Sequence, residues 1–382
     1  MKWLIFLTNR IFVLFTVRYL DEKTENRPSS DIVMPIEFHP MGAKVLISHL
    51  RRVHDGSPLS EREINDILEQ PDIYLWISVY DEWMKGSKSE FRDILCSLHK
   101  DSMNDLSKWG QHINQGLRNS LSRLDELEQA LNHLTRYDWG LAASNTLQFL
   151  PKDTPLNAHV IMTIDGFNGG MFHDDNMFLS LTIIGPDTMS PQYFTHEFHH
   201  IGLGYWWERN PVVKKFGQEK ASREAWLLRL YHYMVSEGLA NAFCSPAMLS
   251  QTEHDDEQNR KHNKIIREYD SQFNEILYSL ETILEQIIGH SNPEITEQYE
   301  EFSLDMKTHY LPKGHFLSGR MIQIMDESPA VSREEIIDLV REPFRFFQLY
   351  NRAARDRGHR EVSRPLLDSV EGAIRSMKKN VN

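Results

Sequence analysis

Residues 155–185 carry a strand-like pattern between two long stretches of helical periodicity. They are rich in β-branched and apolar residues, and glycines and a turn-like Asp-Asp-Asn interrupt them. Residues 36–150 instead have apolar residues at three- and four-residue spacing and a capping box, Ser60-x-x-Glu63. Helical spacing returns from Ser190 to the end of the chain. These patterns predict a mainly α protein with a small β-sheet, an α+β fold.

The charge balance restricts the partners of the chain. Its 55 acidic and 42 basic side chains give a net charge of -13 at pH 7. This charge repels phosphate backbones unless a basic face is strongly segregated, and the sequence has no such face. We therefore expect no nucleic-acid partner.

Two features bear on the compartment. Cys96 and Cys244 are far apart in sequence and form no CxxC motif, which favours a reducing compartment and a cytoplasmic protein. Residues 1–20 are strongly apolar, but Asn9 and Arg10 interrupt them, and no small-residue cleavage site follows. We interpret residues 1–33 as a weak anchor or an over-long start, so membrane anchoring through this segment is the alternative to a cytoplasmic location.

Three histidines and a glutamate stand together in His196-Glu197-Phe198-His199-His200. Ser190 and Pro191 are typical of a helix start, and Gly202 or Gly204 predicts its end. Histidines at i and i+4 lie one turn apart on one helix face, so His196 and His200 can reach one zinc ion. This is the HExxH pattern of zinc metallopeptidases, in which the glutamate, here Glu197, acts as general base. The alternative is a histidine-bearing helix packed in the core.

A catalytic zinc ion needs a third protein ligand and one open position. The third histidine of the extended HExxHxxGxxH motif would be residue 206, which is Trp206. The chain therefore lacks the third histidine ligand of the extended motif, and the third ligand must come from elsewhere. His199 lies off the line joining the two ligand histidines, and we expect it at the surface or at the margin of the site.

A later segment, Ser236-Glu237-Gly238-Leu239-Ala240, resembles the Glu-Gly-x-Ala signature of the glutamate zincins, which include thermolysin-like and aminopeptidase-type enzymes. The resemblance implies that Glu237 is the third ligand. An exposed helix carboxylate is the competing interpretation, and the apolar surroundings of Glu237 weaken it. Asn241 follows one turn later and either orients a histidine ligand or packs in the helix.

A third dense stretch, residues 309–325, resembles the late helix of bacterial glutamate-zincin peptidases. The resemblance makes Tyr310 and His315 the candidates for stabilising the oxyanion. Arg320 is either a group that binds a substrate carboxylate or an ion-paired residue.

Together these motifs resemble a bacterial family of zinc-dependent peptidases of uncharacterised substrate in the glutamate-zincin clan. The resemblance implies a zincin-like core flanked by helical segments, a Zn²⁺ cofactor and a peptide or protein substrate. It further implies that zinc activates water and the scissile carbonyl while Glu197 moves the proton. The predicted parts are the N-terminal segment 1–33, a helical part 34–150, a core 151–250 and a helical part 251–382 that completes the cleft.

Two other functions stay open at this stage. One is a helical interaction protein with a vestigial or structural zinc site and no catalysis. The other is a metal-dependent amidohydrolase that acts on a non-peptide substrate.

Overall fold

The computed structural model confirms a mainly α protein with a small mixed sheet. It describes residues 36–381 apart from 101–104, 168, 174, 183–190, 218, 220–221, 254–256, 292–294 and 305–310. Among the helices of these residues, none has the length and apolarity that crossing a membrane requires. The apolar N-terminal segment lies outside the described residues.

The strands and helices follow the predicted order of a helical half, a sheet and a second helical half. The strands are β1 (Ile36–His39), β2 (Ala158–Thr163), β3 (Gly170–His173) and β4 (Asn176–Ser180). The α-helices are α1 (Met41–His54), α2 (Glu61–Glu69), α3 (Pro71–Trp83), α4 (Ser87–Ser97), α5 (Lys108–Leu121), α6 (Leu124–Leu134), α7 (Trp139–Leu147), α8 (Pro191–Arg209), α9 (Pro211–Phe216), α10 (Arg223–Leu239), α11 (Glu257–Ser271), α12 (Phe273–Gly289), α13 (Thr296–Leu304), α14 (Lys313–Glu327), α15 (Arg333–Ile337), α16 (Phe346–Arg357) and α17 (Arg364–Val381).

The sheet has the strand order β1-β2-β4-β3, with β1 and β3 at its edges. Strand β2 pairs in parallel with β1 and β4, and β3 pairs antiparallel with β4. The predicted helical part includes residues 36–39, and this prediction is wrong there. These residues form the edge strand β1. A four-residue segment is too short for helical and strand periodicity to be told apart, and pairing with β2 decides its conformation.

The described chain divides into two compact units. The sheet unit comprises the described residues up to Gly140 and those from Asn157 to Thr182, and the helical unit comprises Leu141–Leu156 and the described residues from Pro191 onward. The boundaries at residues 33, 150 and 250 stay a prediction.

Buried hydrogen bonds to one carboxylate organise the sheet unit. Asp165, which follows β2, accepts from the Trp76 indole N–H at 3.1 Å and from the Tyr80 hydroxyl at 2.6 Å. Helix α5 passes so close to the same loop that a Cβ on Gly116 would lie 2.5 Å from the Gly166 Cα. Glycine at both positions therefore permits the approach of the two backbones.

The helical unit has one continuous apolar core. Helices α8, α10, α12, α14, α16 and α17 contribute to it, and Met234, Phe316, Met321 and Tyr350 are completely buried. Each large apolar side chain that is fully buried stabilises the fold by about 1.5–3 kcal/mol relative to an exposed one. This unit also buries polar side chains, among them His196, His200 and Glu237. Burying such groups without partners is costly, so their contacts need an explanation.

Candidate metal centre

The HExxH sequence lies on α8, one of the most deeply buried helices of the helical unit. Every residue from Tyr193 to Leu203 is buried. The helix does not end at Gly202 or Gly204, as predicted, but continues to Arg209. A Cβ on Gly202 would lie 2.2 Å from Leu150 Cδ1, so this glycine permits close packing and is not a helix stop. Ser190, the predicted cap, lies outside the described residues.

Helix α10 supplies Glu237 near its end, where the side chain is completely buried. Gly238 lets α14 approach at this level, because a Cβ there would lie only 3.1 Å from the Ser318 carbonyl oxygen. Ala240–Cys244 then form a π-helical turn. Such wide turns are frequent at functional sites. Here the turn leads to Ser245, whose hydroxyl reaches the His196 ring.

Three donor atoms converge between α8 and α10. His196 Nε2 lies 3.1 Å from His200 Nε2. The Glu237 carboxylate oxygens lie 3.8 Å from His196 Nε2 and 3.6 Å from His200 Nε2. Zinc bonds of about 2.0–2.1 Å in a tetrahedron separate neighbouring donors by about 3.3 Å. The three atoms lie within 4.8 Å of one another, so this group could hold a metal ion.

Serine hydroxyls contact the far nitrogen of each ring. His196 Nδ1 lies 2.8 Å from Ser245 Oγ, and His200 Nδ1 lies 2.6 Å from Ser236 Oγ. The Ala240 carbonyl accepts from the Ser245 hydroxyl at 3.3 Å and also bonds the His196 ring. A carbonyl only accepts, so the His196 proton lies on Nδ1 and its Nε2 lone pair faces the centre.

Hydrogen bonds among neutral groups leave one pair of the three converging atoms without a favourable contact. Each atom either carries a proton or presents a lone pair, so at least two of the three must be of the same kind and repel each other. A cation would attract all three lone pairs. This donor set therefore fits a bound metal ion.

Burial also shifts the protonation of the centre. It lowers the pKa of His196 to about 3, with the neighbouring His315 and His199 adding to the effect. It raises the pKa of Glu237 to about 8, against a hydrogen bond from Asn241 that lowers it. The imidazoles are thus neutral, which is the form that binds metal.

Glu197 is completely buried close to Glu237. Burial raises the pKa of Glu197 well above its ordinary value, and the negative charge of Glu237 adds to the rise. Among the described residues, neither Glu197 carboxylate oxygen nor Glu237 Oε1 has a hydrogen-bond partner. Buried polar atoms without such partners are costly, and a cation or a substrate-side donor would offset that cost.

His315, a predicted oxyanion group, lies at the same centre on α14. Its Nε2 is 3.2 Å from Glu237 Oε2, and its Nδ1 is 2.7 Å from the Tyr233 hydroxyl, which also lies 3.2 Å from the Ser303 carbonyl oxygen. The Tyr233 hydroxyl has one proton: given to Nδ1, its shorter contact, it leaves the ring proton on Nε2, which faces Glu237; given to the Ser303 carbonyl, it leaves the ring proton on Nδ1. Burial lowers the pKa of His315 to about 3, so the ring is neutral.

Tyr310, the other predicted oxyanion group, lies outside the described residues. Arg320 is ion-paired, since its guanidinium donates to both Asp270 carboxylate oxygens at 3.0 Å. This geometry agrees with the ion-pair interpretation of Arg320.

The structure shows the contacts of three further residues that the sequence analysis discusses: His199, Trp206 and Asn241. His199 is not at the surface, as one expectation had it, but completely buried, with its Nε2 hydrogen-bonded to the Phe149 carbonyl at 3.2 Å. Trp206 bonds Thr154 Oγ1 at 2.8 Å. The Asn241 amide donates to Glu237 Oε2 at 3.4 Å, so it contacts the carboxylate and not a histidine ring.

Sequence reasoning missed Tyr233, Ser236 and Ser245. Tyr233 precedes Glu237 by one helical turn, and Ser236 is its direct neighbour, so both could have been found by inspecting the glutamate helix. Ser245 could not, because the π-helical turn determines where it lies.

Comparison with known proteins gives one family. Residues 68–358 match the protein family described as "Putative zinc dependent peptidase (DUF5700)". The match covers more than half of the 382 residues and includes both the HExxH helix and the glutamate helix. No curated protein and no solved structure matches the chain.

Proposed function

The chain belongs to that family, and we propose that it is a zinc-dependent peptidase with His196, His200 and Glu237 as the metal ligands. One observation carries the proposal. The three donor atoms converge in a buried centre beside Glu197, whose carboxylate oxygens have no hydrogen-bond partner among the described residues.

The donor set favours zinc in a catalytic role. Two imidazoles and one carboxylate suit Zn²⁺. Structural zinc sites are usually closed by four protein ligands, whereas catalytic sites have three and keep one position open. His196, His200 and Glu237 are three. With these ligands and the HExxH helix, we propose a centre of the glutamate-zincin type in the zincin-like core that the sequence predicts over residues 151–250.

Glu197 is the proposed general base. When bound, zinc supplies a Lewis acid for the scissile carbonyl and the attacking water. Glu197 then accepts a proton from the water and passes it to the leaving amine. Its burial and the nearby Glu237 carboxylate favour the protonated form, whereas the positive charge of a bound zinc ion would favour the ionised form that a general base needs.

His315 is the proposed oxyanion donor. Its ring is largely buried and neutral, and we propose the tautomer in which Tyr233 donates to Nδ1, so that the Nε2 proton points into the centre, 3.2 Å from Glu237 Oε2, and bonds the oxyanion in place of Glu237 when substrate is present. The Tyr233 hydroxyl holds the other ring nitrogen at 2.7 Å and fixes the ring orientation. A donor held in advance stabilises developing negative charge without reorganisation. Tyr310 stays a second candidate.

The experiment is digestion of a mixed peptide library by zinc-loaded protein, with products identified by mass spectrometry. We expect the wild type to cleave peptides and Glu197→Gln to retain zinc but lose activity by on the order of 10²–10⁴-fold. Glu208→Gln, the same change at an exposed position of α8, is the matched control and should retain activity. Equal, negligible turnover by wild type and Glu197→Gln, with zinc in both, would contradict the proposal and favour a structural metal.

A further inference from the structure

A second group of metal-ligating side chains lies in the sheet unit, on one face of strands β1 and β2. Glu37 stands directly opposite His159 in the parallel register. His39 lies two residues after Glu37 and therefore on the same face of β1. Its ring packs edge-on against that of His159, with centroids 5.3 Å apart. Strand pairing thus brings two imidazoles and one carboxylate together.

Their donor atoms form a compact triangle. His39 Nε2 lies 3.2 Å from His159 Nδ1, which in turn lies 3.2 Å from Glu37 Oε2. The third side, from His39 Nε2 to Glu37 Oε2, is 3.6 Å. These separations agree with the spacing of about 3.3 Å between donors in a tetrahedral zinc site. The agreement is at least as good as that of the buried centre.

Hydrogen bonding from His159 Nδ1 can account for the two sides of 3.2 Å, but it leaves the third side as two acceptors 3.6 Å apart. Three atoms that each either carry a proton or present a lone pair include at least two of the same kind. One side of the triangle is therefore repulsive in every protonation state of neutral rings. A cation at the centre removes this conflict, because each atom can then present a lone pair to it.

The surroundings of His39 match those of a metal-bound histidine. Its second nitrogen, Nδ1, faces Asp72 Oδ1 at 3.7 Å. The other Asp72 oxygen accepts from the Gly42 backbone N–H at 3.0 Å and from the Gln70 amide at 3.2 Å. Asp72 is therefore held in place independently of His39. A carboxylate on the far side of the ring orients a ligand histidine and raises its basicity.

We propose that Glu37, His39 and His159 bind a Zn²⁺ ion that joins the edge strand β1 to β2. The side chains of these residues are 58%, 34% and 41% exposed, so the ion exchanges with solvent more readily than one in the buried centre. An edge strand of four residues gains much from such a link. The ion is structural and takes no part in the peptidase chemistry, so this site stands or falls independently of the proposed function.

The test is zinc stoichiometry after loading with zinc chloride and dialysis, measured by elemental analysis. We expect two equivalents in the wild type, one in His159→Gln, one in His196→Ala and none in the double variant. His49→Gln is the matched control, since His49 faces the single carboxylate of Glu63 at 3.9 Å in the same unit, and it should keep two equivalents. A His159→Gln protein that binds as much zinc as the wild type would overturn the proposal.

A second measurement does not depend on the stability of the buried-site variant. Hydrogen exchange of the β1 and β2 backbone amides is followed in the wild type and in His159→Gln, each with and without zinc. Zinc should slow exchange in the wild type and leave it unchanged in His159→Gln. Equal slowing in both proteins, or slowing in neither, would contradict a zinc link between the strands.

Discussion

The Nε2 atoms of His196 and His200 face each other at 3.1 Å, while Ser245 and Ser236 contact the opposite nitrogen of each ring. The pairing repeats on both histidines although the serines come from different elements, one in α10 and one after the π-helical turn. It holds both rings with the same nitrogen toward the centre.

The two serines should therefore govern metal affinity. We expect Ser245→Ala and Ser236→Ala each to weaken zinc binding to the buried centre by about 10–100-fold, because the ring loses the group that orients it. Competition with a coloured chelator measures this. Ser318→Ala is the control, a buried serine of α14 that bonds the His315 carbonyl, and it should bind zinc as the wild type does. Unchanged affinity in both serine variants would contradict the orienting role.

His315 and Tyr233 should affect turnover and not metal content. We expect His315→Gln to lower kcat by about 100-fold with zinc retained, since it removes the oxyanion donor. Tyr233→Phe should lower kcat by about 10-fold, because it removes one hydrogen bond to the ring. Kinetics on a peptide from the library, with zinc analysis of each variant, checks both values. A change in KM alone, with kcat of His315→Gln equal to that of the wild type, would contradict a role for His315 in the transition state.

Gly314 should resist substitution although it lies in a helix. A Cβ there would lie 2.6 Å from the Tyr233 ring and hydroxyl and 2.7 Å from the Phe302 ring. Overpacking of about 1–3 kcal/mol then outweighs the helix-propensity gain of Ala over Gly, about 1 kcal/mol. Gly314→Ala should lower the free energy of unfolding and, by displacing Tyr233, the activity.

Gly204 provides the matched comparison for that change. Nothing lies within 4 Å of a Cβ built on it, inside helix α8. Gly204→Ala should therefore raise the free energy of unfolding by up to about 1 kcal/mol. Denaturant titration of both variants measures the two signs, and destabilisation by Gly204→Ala equal to that by Gly314→Ala would show that packing is not the cause.

Glu335 should make stability depend on pH in the acid range. Its hydrogen bond from Arg352, followed by that from the Ser332 backbone, lowers its pKa from 4.5 to about 2. A lowered folded-state pKa gives stability that is present above about pH 4.5 and is lost as the pH falls toward 2. The difference in unfolding free energy between wild type and Glu335→Gln should thus shrink over that window. The exposed Glu334→Gln is the control, and a constant difference would contradict the pKa shift.

The parts of the fold that local spacing determines could be predicted from sequence. The capping box at Ser60 is present, with Glu63 returning a bond to the Ser60 backbone. Strand β1 and the continuation of α8 beyond Gly204 were missed, because pairing with β2 and packing on Leu150 decide them. Tertiary contacts of this kind leave no periodic signal.

In the candidate site, too, some residues can be predicted from the sequence and others only from the packing of the helices. Spacing alone brings His196 and His200 onto one face of a helix, and the resemblance of the later segment points to Glu237. Tyr233 and Ser236 stand close to Glu237 in sequence and could be named as candidates, but Ser245 could not. Only the packing of α8, α10 and α14 shows that all three touch histidine rings.

An anomalous difference map at the zinc edge, from crystals of zinc-loaded protein, tests the central claim most directly. The account predicts a peak at about 2.0–2.2 Å from His196 Nε2, His200 Nε2 and a Glu237 carboxylate oxygen. The Glu237→Ala variant should lose that peak. A fully occupied zinc ion bound elsewhere in the helical unit, with these three side chains unliganded, would contradict the account.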